Sequence, residues 1–381
     1  MKIAYDPQIF CAQTYGGISR YFCEIASRIA KEPGVQVSIA APMHVNAYLL
    51  HVPRGIVSGF RAPESDRFQM HKGANYPRLV FRGLGLLTGD LMLRFMKPDI
   101  VHETYFSPYR LGGSRPRRVL TIYDMIHEKF PTSFSNADKT ARYKAQAAAR
   151  ADHVICISES TRRDAIDILG LHPDKTSVIY LGFDLMNADG KSVGYKDFPV
   201  NAPFLLYVGN RGGYKNFQGL LEAYGASPKL NREYNLICFG GGAFNSDELE
   251  TMRGLGLGSG QIMQLGGSDL LLAGLYQRAS AFVYPSLYEG FGIPPLEAMS
   301  HDCPVVCSNT SSIPEVAGSA CEYFDPADIE SMRNAIERVV ASDSLRKLLI
   351  EKGRERLKKF SWDRCAVETL DIYKKLAGTD K

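Results

Sequence analysis

Several common patterns are missing from this 381-residue chain, and each absence removes a class of protein. Its eight cysteines, at positions 11, 23, 156, 238, 303, 307, 321 and 365, never form a C-x-x-C pair. Spread through apolar segments, they read as buried free thiols rather than as zinc ligands or a disulfide framework. The eight histidines are equally dispersed, with no H-E-x-x-H among them, so no metal site is expected. No secretory leader is expected either, because MKIAYDP reaches Asp6 and Pro7 before an apolar core can form. The longest apolar candidate for a membrane span, LGLLTGDLMLRFM at 84–96, is broken by Asp90 and Arg94, well short of the roughly 20 residues a bilayer demands. A cytoplasmic protein is the expectation. The glycine-rich stretches GGGAFN, GLGLGSG and GLGLL contain no G-x-G-x-x-G, which counts against a nicotinamide enzyme. A P-loop is absent too, since Gly190, Lys191 and Ser192 are preceded by Leu185 where its first glycine belongs.

What is present is a soluble composition, 45% hydrophobic and 23% charged, in a chain long enough for two or three domains. The net charge of +4 is unevenly shared. Residues 1–183 hold 24 basic against 16 acidic side chains, and residues 184–381 hold 21 against 25. Most of the excess lies in 51–150, with 17 basic residues against 8 acidic ones, including Arg115, Arg117 and Arg118. Such a surface is either a solvated basic face or one that meets an anionic membrane or an anionic acceptor. Nucleic acid is not expected as a partner, because no aromatic-interleaved basic motif or basic helix accompanies the charge.

Short strand-like runs alternate with helix-length segments. MKIAY, VQVSIA, DIVHE, RRVLTIYD, HVICIS and TSVIYLG form a first series; FLLYVGN, YNLICFG, QIMQLG, AFVYPS and PVVCSN form a second. Alternation of this kind predicts parallel sheets covered by helices. Between the series, 183–203 is polar and rich in Gly, Pro, Asn and Asp, which marks a linker. The expected domains are 1–183 and 184–364, each doubly wound, with ligand sites at the carboxyl ends of their strands. Gly16 and Gly17, the GNRGG at 209–213 and the FGGG at 239–242 each follow a strand.

Two of these strand ends carry candidate chemistry. In PSLYEGFGIPPLEAM, Gly290 and Gly292 allow close backbone approach, and Pro294 and Pro295 suit the first turn of a helix, which would also hold Glu297. The backbone N–H groups of Phe291, Gly292 and Ile293 then face an anion at the positive helix end, with Glu289 just before the turn. Arg211 and Lys215, in the turn of YVGNRGGYKNFQ, make a plausible diphosphate clamp. Cations, helix end and two carboxylates together suit a nucleotide sugar, whose hydroxyls donate to carboxylates.

Through YGGISRY, PDIVHETYFSP, TIYDMIHEKFP, ADHVICISESTRRD, LYVGNRGGYKN, LYQRASAFVYPSLYEGFGIPPLEAM, PVVCSNTSSIPEVAG and FSWDRCAVETLDIY, the chain resembles retaining glycosyltransferases of family 4, the group 1 glycosyltransferases. The likeness is closest to bacterial mannosyltransferase-like members that build surface polysaccharides, lipopolysaccharide among them. It implies a GT-B fold, two Rossmann-like domains facing each other across a cleft, with an N-terminal acceptor domain and a C-terminal donor domain. It also implies that the last helix, 365–381, packs back on the first domain. Carried onto this sequence, the resemblance gives Glu297 the ribose hydroxyls and Glu289 the donor sugar near the reacting carbon. Phe291, Gly292 and Ile293 would meet sugar and phosphate, and Arg211 and Lys215 would neutralise the diphosphate in place of a metal. Gly16 and Gly17 would approach that diphosphate, while Gly267, Ser268 and Asp269 would border the nucleobase.

One position departs from the family pattern, with Tyr123 standing before Asp124 where many members have histidine. A tyrosine donates a hydrogen bond but does not share the histidine's proton chemistry, so the acid–base role stays open between Tyr123 and His127. The reaction implied is transfer of a hexose, mannose from GDP-mannose, to a lipid-linked or growing surface glycan, with no cofactor beyond the donor itself. The alternatives are a UDP- or dTDP-sugar donor, or a non-catalytic nucleotide-sugar-binding subunit.

Overall fold

The computed structural model describes residues 1–61, 76–183, 199–200, 202–258 and 260–378. The linker expected at 183–203 falls largely outside them. The chain forms two compact units, one of Met1–Met125, Asn136–Gly182 and Ser361–Lys381, the other of Ile126–Ser135 and Phe183–Phe360.

The first unit is built on strands β1 (Lys2–Tyr5), β2 (Gln36–His44), β3 (Val57–Arg61), β4 (Ile100–Glu103), β5 (Arg117–Ile122), β6 (His153–Cys156) and β7 (Thr176–Val178). They pair in parallel in the order β3-β2-β1-β4-β5-β6-β7. The second unit has β8 (Phe204–Val208), β9 (Asn235–Phe239), β10 (Ile262–Leu265), β11 (Ala281–Tyr284), β12 (Val305–Ser308) and β13 (Cys321–Phe324), parallel in the order β10-β9-β8-β11-β12-β13. In both sheets the order reverses beside the first strand of the series, the switch point where doubly wound sheets bind ligands. Two strands escaped the sequence reading, β3 and β13, and both are sheet edges. An edge strand keeps some surface in water and so lacks the continuous apolar run of a central one, as the partly exposed VSGFR of β3 illustrates.

Periodicity explains the helices. In Gly17–Ile29 the buried Tyr21, Phe22, Ile25, Ala26 and Ile29 share one face. The final helix, Trp362–Ala377, packs on Gly17–Ile29 and belongs to the first unit. Its entry is tight: a Cβ on Gly182 would lie 2.3 Å from the backbone nitrogen of Trp362, so only glycine fits. Tyr373 of this helix places its hydroxyl 2.5 Å from Nδ1 of the buried His102, whose Nε2 lies 2.8 Å from Thr121 Oγ1. Burial holds the His102 imidazole down to about 3, so it stays neutral within this network. All eight cysteines are free thiols, seven of them buried. Among the described residues no helix is long and apolar enough to cross a membrane.

Candidate functional site

Two turns at the carboxyl end of the second sheet come together because β8 and β11 are neighbours. After β8 the chain turns through Gly209 and Gly213, at φ 124° and 54°, conformations that favour glycine. Gly213 has a second reason to be glycine, since a Cβ there would lie 2.6 Å from Ser133 Oγ. After β11 the segment 285–292 runs alongside, and the Leu287 N–H donates to the Tyr214 carbonyl at 2.8 Å. Lys215 then reaches Glu289, with Nζ 2.6 Å from Oε1. The Tyr284 hydroxyl also meets Glu289, and burial first, then that carboxylate's charge, raises the phenol well above its ordinary value.

The second turn is held from outside by the hydroxyls that follow β12. Ser311 Oγ accepts from the Glu289 N–H at 2.9 Å, and Ser312 Oγ lies 2.9 Å and 3.0 Å from the carbonyls of Glu289 and Phe291. Thr310 Oγ1 donates to the Leu287 carbonyl at 3.0 Å. Each is a local side-chain hold on backbone that no sheet or helix satisfies. The S-N-T-S-S run at 308–312 was the available signal for these residues, and residue chemistry alone assigned them nothing.

Gly292, at φ 97°, opens the helix Ile293–Ser300, and no side chain caps it. Ile293 therefore occupies the first helical position, with Pro294 and Pro295 behind it. This moves Glu297 into the second turn, one turn later than the sequence suggested, because the helix starts before the prolines rather than at them. Glu297 Oε2 accepts from the Tyr276 hydroxyl at 3.1 Å. Gly267, Ser268 and Asp269 are exposed after β10, two strands from β8, where Ser268 caps the helix Asp269–Arg278.

Arg211 is placed unlike Lys215. It is 8% exposed, with Nε 2.8 Å from Glu248 Oε1, Nη1 3.0 Å from the Gly240 carbonyl and Nη2 within 3.0 Å of the carbonyls of Gly242 and Ala243. Its guanidinium thus ties the FGGG turn to the capping box of the helix Ser246–Gly254. Glu248, its counter-charge, went unnoticed in the sequence because it lies 37 residues away.

The segment Ile126–Ser135 belongs to this unit as well. Phe130 sits beside Tyr214 and Tyr288, at 5.9 Å and 6.1 Å between ring centres, and Lys129 lies 5.0 Å over Tyr288. His127 stacks on Phe134 at 3.9 Å.

The remaining predicted residues lie in the first unit. Gly16 precedes the helix Gly17–Ile29, and a Cβ on it would strike the Gln13 carboxamide at 2.4 Å. Tyr123 follows β5. Its hydroxyl is buried with no hydrogen-bond partner among the described residues, and burial lifts its pKa far above normal, so it is a neutral phenol. The Asp124 carbonyl accepts from the buried Lys144 ammonium at 2.8 Å, with its carboxylate 3.7 Å away.

Two parallel, doubly wound units of this order define the GT-B class. Solved structures of similar fold include sucrose-phosphate synthase from Thermosynechococcus elongatus (TM-score 0.71, 19% identity, 100% of this chain and 99% of that one). Another is WaaG, a glycosyltransferase involved in lipopolysaccharide biosynthesis (TM-score 0.67, 17% identity, 98% and 99%). The family model for Glycosyltransferase Family 4 matches residues 15–186, and that for Glycosyl transferases group 1 matches 194–356. The chain belongs to this family, the group 1 glycosyltransferases of family 4. It is 42% identical over 175 residues to the O-antigen chain mannosyltransferase B of Escherichia coli, a match covering 45% of this chain and 46% of that protein. It is 28% identical over 239 residues to the serotype-specific mannosyltransferase WbdA of Escherichia coli, covering 60% of this chain and 29% of that one. The matches thus span about half the length of the first relative and under a third of the second.

Proposed function

We propose that this protein is a retaining hexosyltransferase that moves mannose from GDP-mannose to a lipid-linked or growing surface polysaccharide. The observation that carries the reading is the Lys215–Glu289 pair at the switch point of the second sheet, beside the uncapped start of the helix Ile293–Ser300. A diphosphate entering there offers Lys215 a doubly charged partner and frees Glu289 to accept from sugar hydroxyls. Lys215 stabilises the leaving diphosphate as negative charge builds on it, the work other glycosyltransferase folds give to a metal ion. Arg211, already matched by Glu248, keeps the neighbouring turn in place. Glu297 takes the ribose hydroxyls, Phe291 to Ile293 take phosphate and sugar through their backbone, and Gly267 to Asp269 border the base. Gly16 and Gly17 offer bare backbone to the diphosphate. Tyr123, held neutral by burial, donates a hydrogen bond to the sugar rather than exchanging a proton, with Asp124 positioned by Lys144. The acceptor proton passes to the departing diphosphate on the same face, so no protein nucleophile is assigned.

The choice of mannose and of a surface-glycan acceptor is supported by the likeness to O-antigen mannosyltransferases. Titration calorimetry in EDTA with GDP-mannose, UDP-glucose and a dTDP-sugar tests the reading. Heat of binding is expected for GDP-mannose; binding of another donor alone overturns the sugar assignment, and binding of none overturns the enzyme reading.

A further inference from the structure

The run 308–312, which follows β12, breaks two local rules in adjacent residues. Ser311 stands at φ 53°, in the left-handed region that is costly for a residue with a side chain and is ordinarily left to glycine or asparagine. Ser312 precedes the helix Ile313–Ala317, where a serine ordinarily caps the first turn, yet its side chain makes no capping bond. Departures of this kind gather where a site is being held in shape. Both hydroxyls are committed instead to the turn that carries Glu289.

Because β11 and β12 pair in parallel, the turns that follow them run side by side, and Ser308 Oγ joins them at the start by donating to the Tyr284 carbonyl at 3.2 Å. Ser311, 22 residues from Glu289, accepts its N–H at 2.9 Å. The fully buried Ser312 sets its hydroxyl between the carbonyls of Glu289 and Phe291, at 2.9 Å and 3.0 Å. With Lys215 on its carboxylate at 2.6 Å, Glu289 is held at its N–H, its carbonyl and its side chain. In a trans peptide the carbonyl and the next N–H point opposite ways, so the bond to the Phe291 carbonyl also turns the Gly292 N–H away from Ser312.

We propose that Ser311 and Ser312 are positioning residues for the transfer reaction. Ser311 fixes the backbone from which Glu289 reaches the donor sugar, and Ser312 aims the Gly292 N–H at the diphosphate. Each acts through the turn it holds rather than on the substrate. The inference deepens the transfer reading and rests on it, since setting Glu289 matters to catalysis only if Glu289 meets a donor. The backbone at Ser311 separates this role from packing. Glycine would meet φ 53° without strain, and what it lacks is an acceptor for the Glu289 N–H.

Turnover and melting of the parent, Ser311→Ala, Ser311→Gly and Ser311→Asn are the test. Ser311→Ala keeps the unfavourable φ and loses the hydroxyl, Ser311→Gly loses both, and Ser311→Asn tolerates the φ while restoring a side-chain oxygen. Melting is expected to follow φ, with Ser311→Gly above Ser311→Ala. Turnover, with the donor the parent uses, is expected to follow the oxygen. In Ser311→Ala and Ser311→Gly alike kcat should fall at least about tenfold with the donor KM within about threefold of the parent, and Ser311→Asn should recover kcat to within about threefold. Ser312→Ala should instead weaken GDP at least about fivefold in titration calorimetry. A parent that transfers from no nucleotide sugar overturns the transfer reading and the positioning roles with it. With an active parent, a Ser311→Gly variant that turns over like the parent, or turnover that follows melting across the series, overturns the role of Ser311 alone. Unchanged GDP affinity in Ser312→Ala overturns that of Ser312.

Discussion

Glu103 at the end of β4 and Glu289 after β11 are both buried carboxylates at the carboxyl end of a parallel sheet, and both face cations. Glu103 is enclosed by two arginines. Arg118 Nη1 lies 2.9 Å from Oε1, and Arg150 reaches both oxygens at 3.1 Å and 2.6 Å. Arg118 is itself fully buried and donates further to the carbonyls of Leu111 and Gly113. Among the described residues Glu289 pairs with Lys215, which keeps 21% of its side chain in solvent. A carboxylate held on both oxygens by two arginines, one of them fully buried, has little left to offer a ligand, so it serves as scaffold. A pair with one solvent-facing partner can exchange that partner for an anion. The Arg211–Glu248 pair shows that the second unit uses both kinds, four residues apart in one turn.

The strongest way to break this comparison is Glu103→Gln, which leaves Arg118 buried without its counter-charge. The first unit should lose about 3–5 kcal/mol in denaturant unfolding, and a loss below about 1 kcal/mol would place Glu103 outside the scaffold. Next comes the contrast within one turn. Lys215→Ala should cut turnover at least about a hundredfold, roughly 2.7 kcal/mol of transition-state stabilisation, with a smaller loss in melting than Arg211→Met, because water entering the solvent-facing place of Lys215 can solvate Glu289. Arg211→Met should do the reverse, costing about 2 kcal/mol of stability by orphaning Glu248 and three carbonyls. If the two variants behave alike in turnover and in melting, the division of roles between them fails.

The smallest effect concerns His102. Its folded pKa, lowered by burial to about 3 from 6.5, makes its contribution complete above pH 6.5 and lost progressively as pH falls toward 3. Between pH 7 and 5 the parent should therefore lose about 2 kcal/mol more stability than His102→Asn. Asp6 acts in the other direction: burial, then the charge of Glu103, raises its carboxyl to about 6, so its contribution is lost as pH rises from about 3.8 through 6. The difference between parent and His102→Asn isolates the histidine, and identical pH slopes would show that burial does not depress the His102 pKa in the folded protein.

Much of the fold was readable because it rests on short-range periodicity. β1, β8 and β11 are apolar runs bounded by turn residues, and the helix Gly17–Ile29 repeats its apolar face every three to four residues. The edge strands β3 and β13 were not, since an edge needs no apolar run. In the site, the turn between Glu289 and Glu297 was legible from Gly292, Pro294 and Pro295, while the start of its helix was not.

The sequence by itself determined two series of alternating strands and helices, the turns at their strand ends, and the residue types gathered there. Local propensity and spacing act over a few residues, and those features need nothing more. Only the tertiary structure decided which partner each charge met. Lys215 meets Glu289 across 74 residues and Arg211 meets Glu248 across 37, so two neighbouring cations of equal promise part company. It also decided which side of the helix Tyr76–Met96 faces inward, because close packing at Gly85 and Gly89 leaves room for no larger side chain there.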